Sequence, residues 1–199
     1  MKYKIPLIPQ CLNLLTFHVR SLVDTSRQVD LANTLFFNKI DVAFIQECHL
    51  KKGRNIKLRG YNIFYDYSRI GVAVVLKESI KYNRINIVGI DFLGTFLQID
   101  VKIDGSYKKI LLGSVYILWN FSTSAIHNGL NKILGVAKHF DVFVIGGDLN
   151  AKNSAWGDQF DNSNGRAVHS WMQDNILEVV RVSDNSPSFP NGSSFLDNL

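Results

Sequence analysis

Two apolar runs in the chain end in residues that could do chemistry. In DVAFIQECHL the run Val42 to Ile45 reads as a buried strand that delivers Gln46 and Glu47 to its carboxyl end. A carboxylate placed there can hold a hard cation. Magnesium prefers oxygen ligands and keeps several waters, so one or two protein carboxylates suffice when a substrate phosphate completes the shell. A surface glutamate that merely ends a strand is the plainer reading of the same residues. The second segment, DVFVIGGDLNAKNSAWGD, repeats the design with Gly146 and Gly147 followed by Asp148, Leu149 and Asn150. The glycines let the backbone turn sharply and approach a ligand. Asp148 and Asn150, one residue apart, point to the same side if strand geometry persists. One can then accept a proton from water while the other donates a hydrogen bond to a phosphoryl oxygen. A Gly-Gly-Asp turn without chemistry is the alternative.

These segments need strands to carry them, and apolar runs bounded by turn residues supply many: Leu12 to Phe17, Val42 to Ile45, Tyr61 to Tyr65, Gly71 to Leu76, Ile85 to Ile90, Phe96 to Val101, Ile110 to Ile117 and Val142 to Ile145. Asp104-Gly105 between two of them predicts a hairpin. Helical spacing covers about 27–39, with Val29, Ala32, Leu35 and Phe36 on one face. A second helix, capped by Thr123 or Ser124, carries Ile126, Leu130, Ile133, Leu134 and Ala137 as its stripe. A third runs over about 166–175. Strands outnumber helices, and hairpins mix with crossovers. The order therefore favours two packed sheets with helices outside over a doubly wound parallel sheet.

Composition adds bounds. The chain has 199 residues, 46% hydrophobic and 20% charged, enough for one sizeable core and too ordinary for a disordered or fibrous protein. Two cysteines, Cys11 and Cys48, make neither a disulfide framework nor a zinc-ligand spacing, which fits a reducing compartment. No signal peptide and no run of eighteen apolar residues is visible, so no membrane partner is expected. A formal charge of +5 and a pI near 9.2 favour a polyanionic partner, since each phosphate contacted releases condensed counterions. The basic charge is densest at Lys51, Lys52, Arg54, Lys57 and Arg59, a glycine-containing run that reads as an exposed loop: either a solvated surface or, being close to Glu47, a phosphate-binding one.

QECHL followed far downstream by GGDLNAKNSAWGD resembles the endonuclease/exonuclease/phosphatase superfamily, and within it the apurinic-type endonuclease domain of non-LTR retrotransposons. Other stretches fall in the family's order: LNLLTFHVRSL resembles its opening strand and loop, GSVYI its tyrosine strand, and SPSFPNGSSFLDNL its segment ending in a buried aspartate. The resemblance spans 12–199, leaving 1–11 as an N-terminal extension. It implies a deoxyribonuclease-I-like fold, a four-layered sandwich of two mixed β-sheets flanked by helices. It also implies hydrolysis of DNA phosphodiesters with Mg2+ or Mn2+. Glu47 then resembles the metal-binding glutamate and Tyr116 the tyrosine that contacts the scissile phosphate. Asp148 resembles the residue that positions or deprotonates water, and Asn150 the group that stabilises the pentavalent phosphorus. Asp197 resembles the aspartate that orients a catalytic histidine. Arg20, Lys51, Lys52 and Arg54 are the expected nucleic-acid contacts.

The chain departs from the family in three places. His18 stands at the position of a metal-site asparagine; imidazole is larger, can be charged, and is a poorer magnesium ligand than an amide oxygen, which favours a damaged metal site over a preserved one. Leu118 and Trp119 replace a proline the family usually carries after its tyrosine. The family's Ser-Asp-His motif belongs a strand or two beyond Asp197, so the last strands of the sheet are expected to be missing, with an exposed edge and reduced stability or pairing with another chain. His49, His127, His139 and His169 are not preceded by Ser-Asp and read as surface or satisfied histidines. The expectation is a monomeric, intracellular DNA-nicking domain, nuclear if it acts on chromosomal DNA, joined in a full-length element to a reverse transcriptase. A non-catalytic nucleic-acid-binding remnant, or another phosphoesterase of the superfamily, stays open beside it.

Overall fold

Valine, isoleucine and leucine crowd the segments at the middle of the structure because those strands are covered on both faces. The computed structural model describes residues 12–103, 105–119 and 121–177. Strands β1 (Leu14–His18), β2 (Val42–Gln46), β3 (Tyr61–Asp66) and β4 (Val72–Lys77) form one sheet in the order β1-β2-β4-β3. Strands β5 (Tyr82–Ile85), β6 (Leu93–Ile103), β7 (Ser106–Tyr116) and β8 (Val142–Asp148) form the other in the order β5-β6-β7-β8. Each sheet is mixed. β1 runs parallel to β2 and β7 parallel to β8, while the remaining pairs are antiparallel.

The two sheets face each other across a core of Val42, Phe44, Val74 and Leu76 on one side and Leu97, Ile99, Ile110 and Leu112 on the other. Helix α1 (Thr25–Phe37) closes the outer face of the first sheet, where Leu31 and Leu35 pack with Ala43, Ile45, Ala73 and Val75. Helices α2 (Thr123–Ala137) and α3 (Ser163–Asp174) close the outer face of the second, laying Ile126, Leu130, Ile133, Val168 and Trp171 over Phe96, Leu111 and Val115. The result is a four-layered sandwich, with the double-sided burial of β2 and β4 explaining their unbroken apolar runs.

The helices begin where short polar side chains take their first amide hydrogens. Asp24 accepts from Ser26 at 2.9 Å, Ser122 from Ala125 at 3.2 Å, and Asn162 from Gly165 at 2.7 Å. The cap of α2 is therefore Ser122, one residue before the expected Thr123 or Ser124. The β6–β7 hairpin closes with Ile103 opposite Ser106, and Gly105 supplies the positive φ of 83° that a two-residue turn needs. Asp104 lies outside the described residues.

Two expectations fail in detail. Residues 86–90 are not strand; β5 occupies Tyr82–Ile85 and ends with Ile85 opposite Phe96, after which Gly89 turns the chain at φ 74°. The buried face of α1 is also only partly the expected one, since Ala32 and Leu35 pack on the sheet as expected. Leu31 and Leu35 are fully buried, whereas Val29 and Phe36 lie outside at 52% and 72% exposure. Both registers have helical spacing, and what decides between them is where Asp24 starts the helix and how Leu22 and Ile40 anchor its ends on the sheet. Leu35→Ala should consequently destabilise the fold by about 2–5 kcal/mol, the usual cost of a core cavity. Phe36→Ala should cost under about 0.5 kcal/mol, as surface substitutions do. Urea denaturation of the two variants checks this, and equal losses would contradict the assigned face.

Candidate active site

Parallel pairing decides where the chemistry-bearing residues meet. Because β1 and β2 run the same way, His18 lies beside Gln46, and the next residue is Glu47. Because β7 and β8 run the same way, Tyr116 lies beside Asp148. The carboxyl ends of both pairs reach one rim of the sandwich, two strands from each sheet. A buried polar bridge holds the sheets together there: Gln46 Nε2 donates to Ser114 Oγ at 3.3 Å, and Ser114 Oγ donates to the Ile45 carbonyl at 3.2 Å. Gly146 is required by the same closeness, since a Cβ there would stand 2.3 Å from Phe44 Cδ2, near the stem of that side chain.

The rim gathers five of the sequence-predicted residues. Tyr116 donates its hydroxyl to Glu47 Oε1 at 3.2 Å. His18 Nε2 lies 2.7 Å from Glu47 Oε2, and its Nδ1 lies 4.0 Å from Asp148 Oδ2, so the imidazole ring stands between the two carboxylates. Asp148 is buried, and its Oδ1 accepts the Asn150 backbone amide at 2.8 Å. The Asn150 side chain donates Nδ2 to the Ile117 carbonyl at 3.0 Å and also reaches the Tyr116 hydroxyl. Glu47 and Asn150 each follow a strand end with positive φ, 55° and 47°. Left-handed backbone at two non-glycine residues costs on the order of 1–3 kcal/mol each and persists only where the surroundings over-determine it.

Electrostatics separates the groups by charge. Burial pushes the Glu47 carboxyl up, but the close contact and charge of His18, the Tyr116 hydrogen bond and the charge of His49 outweigh it and hold the group below its ordinary range, so it is ionised at neutral pH. Burial first, then the charges of Asp148 and Glu47, push the Tyr116 phenol up to about 12; it remains a protonated donor. The site thus offers one firmly anionic carboxylate, a second carboxylate with Oδ2 toward the cleft, a neutral phenol and an amide.

Whether these residues suit a divalent cation can be asked of His18. Its Nε2 is buried and, despite the 2.7 Å approach to Glu47, makes no hydrogen bond of acceptable alignment. An orphaned nitrogen beside a carboxylate oxygen suits two ligands of one ion. Among the described residues no three His, Cys, Asp or Glu side chains form a ready-made cage, so the remaining positions would fall to water and substrate.

The basic residues lie on the exposed loops that follow β1 and β2. Arg20 follows His18 on an exposed loop whose carbonyls at Val19 and Arg20 accept from Arg27 Nη1. Lys51, Lys52 and Arg54 are exposed on the loop after Glu47, where Arg54 Nη2 donates to the Val23 carbonyl at 2.7 Å and ties the two loops together. Asp197 and the segment SPSFPNGSSFLDNL lie outside the described residues, as do 1–11 and Cys11.

Sequence reasoning missed the frame under Asn150. Asn164, fully buried, donates Nδ2 to both the Leu118 and Leu149 carbonyls at 3.1 and 3.0 Å. Asn162 donates Nδ2 to the Asn150 carbonyl at 2.8 Å while its Oδ1 caps α3 and accepts from Lys152. Asp158 Oδ2 accepts from the Asn153 amide and the Trp156 indole at 2.9 and 3.1 Å, bracing the 3₁₀ turn Ser154–Trp156. The available signal was Asn162-Ser163-Asn164-Gly165, a capping pattern placed just before helical spacing resumes. His49 was also read as a bystander; its Nε2 lies 3.8 Å from Glu47 Oε2. Asn164→Ala strands two buried carbonyls and should destabilise the protein by about 1–3 kcal/mol in urea titrations. Stability unchanged within error would contradict the bracing role.

Comparison with known proteins agrees with this fold. A family model described as endonuclease-reverse transcriptase matches residues 110–199. The chain is 24% identical over 165 residues to the RNA-directed DNA polymerase from mobile element jockey of Drosophila funebris, covering 78% of this chain and 16% of that protein, so it spans about one sixth of the relative's length. Among solved structures, the endonuclease domain of TRAS1, a telomere-specific non-LTR retrotransposon, superposes with a TM-score of 0.70 at 19% identity, over 90% of this chain and 77% of that one. AP endonuclease LMAP from Leishmania major gives 0.56 at 15% identity, over 81% of this chain and 66% of that one. The chain shares the fold of these nuclease structures, matches the endonuclease-reverse transcriptase model over residues 110–199, and is similar in sequence to a protein of a mobile element.

Proposed function

We propose that the chain, over 12–199, is a DNA-nicking phosphodiesterase domain that works with a divalent cation, Mg2+ or Mn2+. The observation that carries the reading is the convergence of Glu47, Tyr116, Asp148 and Asn150 at the carboxyl ends of strands from both sheets. A cation held by Glu47 would neutralise charge on the phosphate as it reacts. Asp148, with Oδ1 tied to the Asn150 amide, holds a water with Oδ2 and takes its proton as the oxygen attacks phosphorus in line with the leaving oxygen. Tyr116, protonated at neutral pH, donates to a phosphoryl oxygen, and the Asn150 amide beside it donates to the same growing charge. Asp197 would orient a histidine as in the resembled family. Arg20, Lys51, Lys52 and Arg54 would grip backbone phosphates on either side of the cleft.

In a full-length element such a domain would nick target DNA for a linked reverse transcriptase to prime, in the nucleus if the target is chromosomal. No helix among the described residues is long and apolar enough to cross a membrane. The close approach of His18 to Glu47 favours a second reading, a nucleic-acid-binding module in which the imidazole occupies the carboxylate and no hydrolysis follows.

Nicking of supercoiled plasmid separates the readings. The wild-type chain should convert supercoiled to open-circular DNA with added Mg2+ or Mn2+, and EDTA should stop it. Asp148→Ala should lower the rate about 10²–10⁴-fold, the usual worth of a positioned base. DNA binding without nicking, or an Asp148→Ala protein as fast as wild type, would overturn the nuclease reading.

A further inference from the structure

Imidazole and magnesium are poorly matched, and His18 is placed where that mismatch matters. Its Nε2 is shielded from solvent and lacks an aligned partner, yet it stands 2.7 Å from Glu47 Oε2. Two ligand atoms at adjacent corners of an octahedron lie about 3.0 Å apart when each is about 2.1 Å from the ion. A misaligned nitrogen–oxygen pair at nearly that spacing has the arrangement of two members of one coordination shell. The ring is held from both ends. Its backbone pairs with β2 opposite Gln46, and Nδ1 faces Asp148 Oδ2 at 4.0 Å, a gap that one water can bridge and so orient the ring. His49 is a weaker claimant. It is more exposed, its Nδ1 lies 3.2 Å from the Arg69 carbonyl, and its Nε2 stays 3.8 Å from the same glutamate oxygen.

We propose that His18 and Glu47 together ligate the divalent ion, and that the imidazole makes this site select nitrogen-accepting ions such as Mn2+, Co2+ or Zn2+ over Mg2+. The inference rests on the reading that a cation acts at Glu47, and it changes which cation that is. Magnesium takes oxygen ligands almost exclusively, while the later divalent ions gain affinity from imidazole in the order Mn2+, Co2+, Zn2+. Histidine at this position retunes the site; it does not destroy it.

The test measures binding, apart from catalysis. Pulsed electron paramagnetic resonance on the whole chain loaded with Mn2+ should show nitrogen-14 modulation from a coordinated imidazole. The modulation should vanish in His18→Asn and persist in His49→Gln. Calorimetric titrations should give tighter binding of Mn2+ than of Mg2+ to the wild type, and His18→Asn should shrink that preference at least about tenfold, since loss of a ligand exceeds loss of its support. His18→Gln, checked with His18→Asn by circular dichroism, serves if the first variant fails to fold. Mn2+ bound without nitrogen coupling, a preference unchanged in the variants, or no metal bound at all would overturn the assignment. Plasmid nicking that persists without nitrogen coupling would sink the ligand and spare the nuclease; coupling without nicking would support the ligand and sink the nuclease.

Discussion

Everything at the site depends on the two parallel strand pairs ending at the same rim. β1 with β2 and β7 with β8 are the two parallel pairs in otherwise antiparallel sheets. Parallel pairing aligns carboxyl ends, and face-to-face packing then brings four such ends together. The bridge from Gln46 through Ser114 to Ile45, and the approach of Phe44 to Gly146, hold the sheets in that relation where the loops begin. Any slip of β8 against β7 would separate Asp148 from Tyr116, and any slip of β1 against β2 would carry His18 away from Glu47. A one-residue slip would also turn each side chain to the other face.

Strain and support are distributed in keeping with that constraint. The left-handed backbone at Glu47 and Asn150 is unfavourable by itself, and the neighbouring residues compensate with hydrogen bonds instead of apolar contact. Asn150 is held by Ile117, Asp148 and Asn162, and the loop beyond it by Asn153, Asp158 and Asn164. A buried polar frame of this kind rigidifies a loop because each member loses more by moving than an apolar contact would. The frame lies on the side of the second sheet, so the Asp148 to Asn150 edge is the more firmly set half of the site. The opposite edge, from His18 through Glu47 to the basic loop, is tied by backbone bonds from Val19 to Gln46, Leu22 to Cys48, Cys48 to Gly71 and His49 to Ile70, with Arg27 and Arg54 reaching further carbonyls.

Much of this was legible in the chain. Continuous apolar runs located β2, β4 and β8, the stripe from Ile126 to Ala137 located α2, and the residues after those strands named Glu47, Asp148 and Asn150 before any geometry was known. The strands and the helix were readable because double-sided burial and an apolar stripe leave local marks, and the fold brings the three strand-end residues to one rim. The failures were of longer range. Val29 and Phe36 satisfied helical spacing with Ala32 and Leu35 as well as Leu31 does, and only the seat of α1 on the sheet chose between them. Asn162 and Asn164 read as loop residues because their partners, Asn150, Leu118 and Leu149, are brought to them by the fold. His18 was marked as a departure, but its place between Glu47 and Asp148 is a property of two sheets meeting, which spacing within one segment does not encode.

One rim, built from both sheets, is proposed to receive a single phosphodiester. The most direct measurement is a crystal structure of the chain with Mn2+ and a short DNA duplex whose phosphates resist cleavage. One backbone phosphate should lie within hydrogen-bonding distance of the Tyr116 hydroxyl and the Asn150 amide, its neighbours running toward Arg20 and the loop of Lys51 and Lys52. DNA seated elsewhere, with Tyr116 still bonded to Glu47 and no phosphate at the rim, would contradict it.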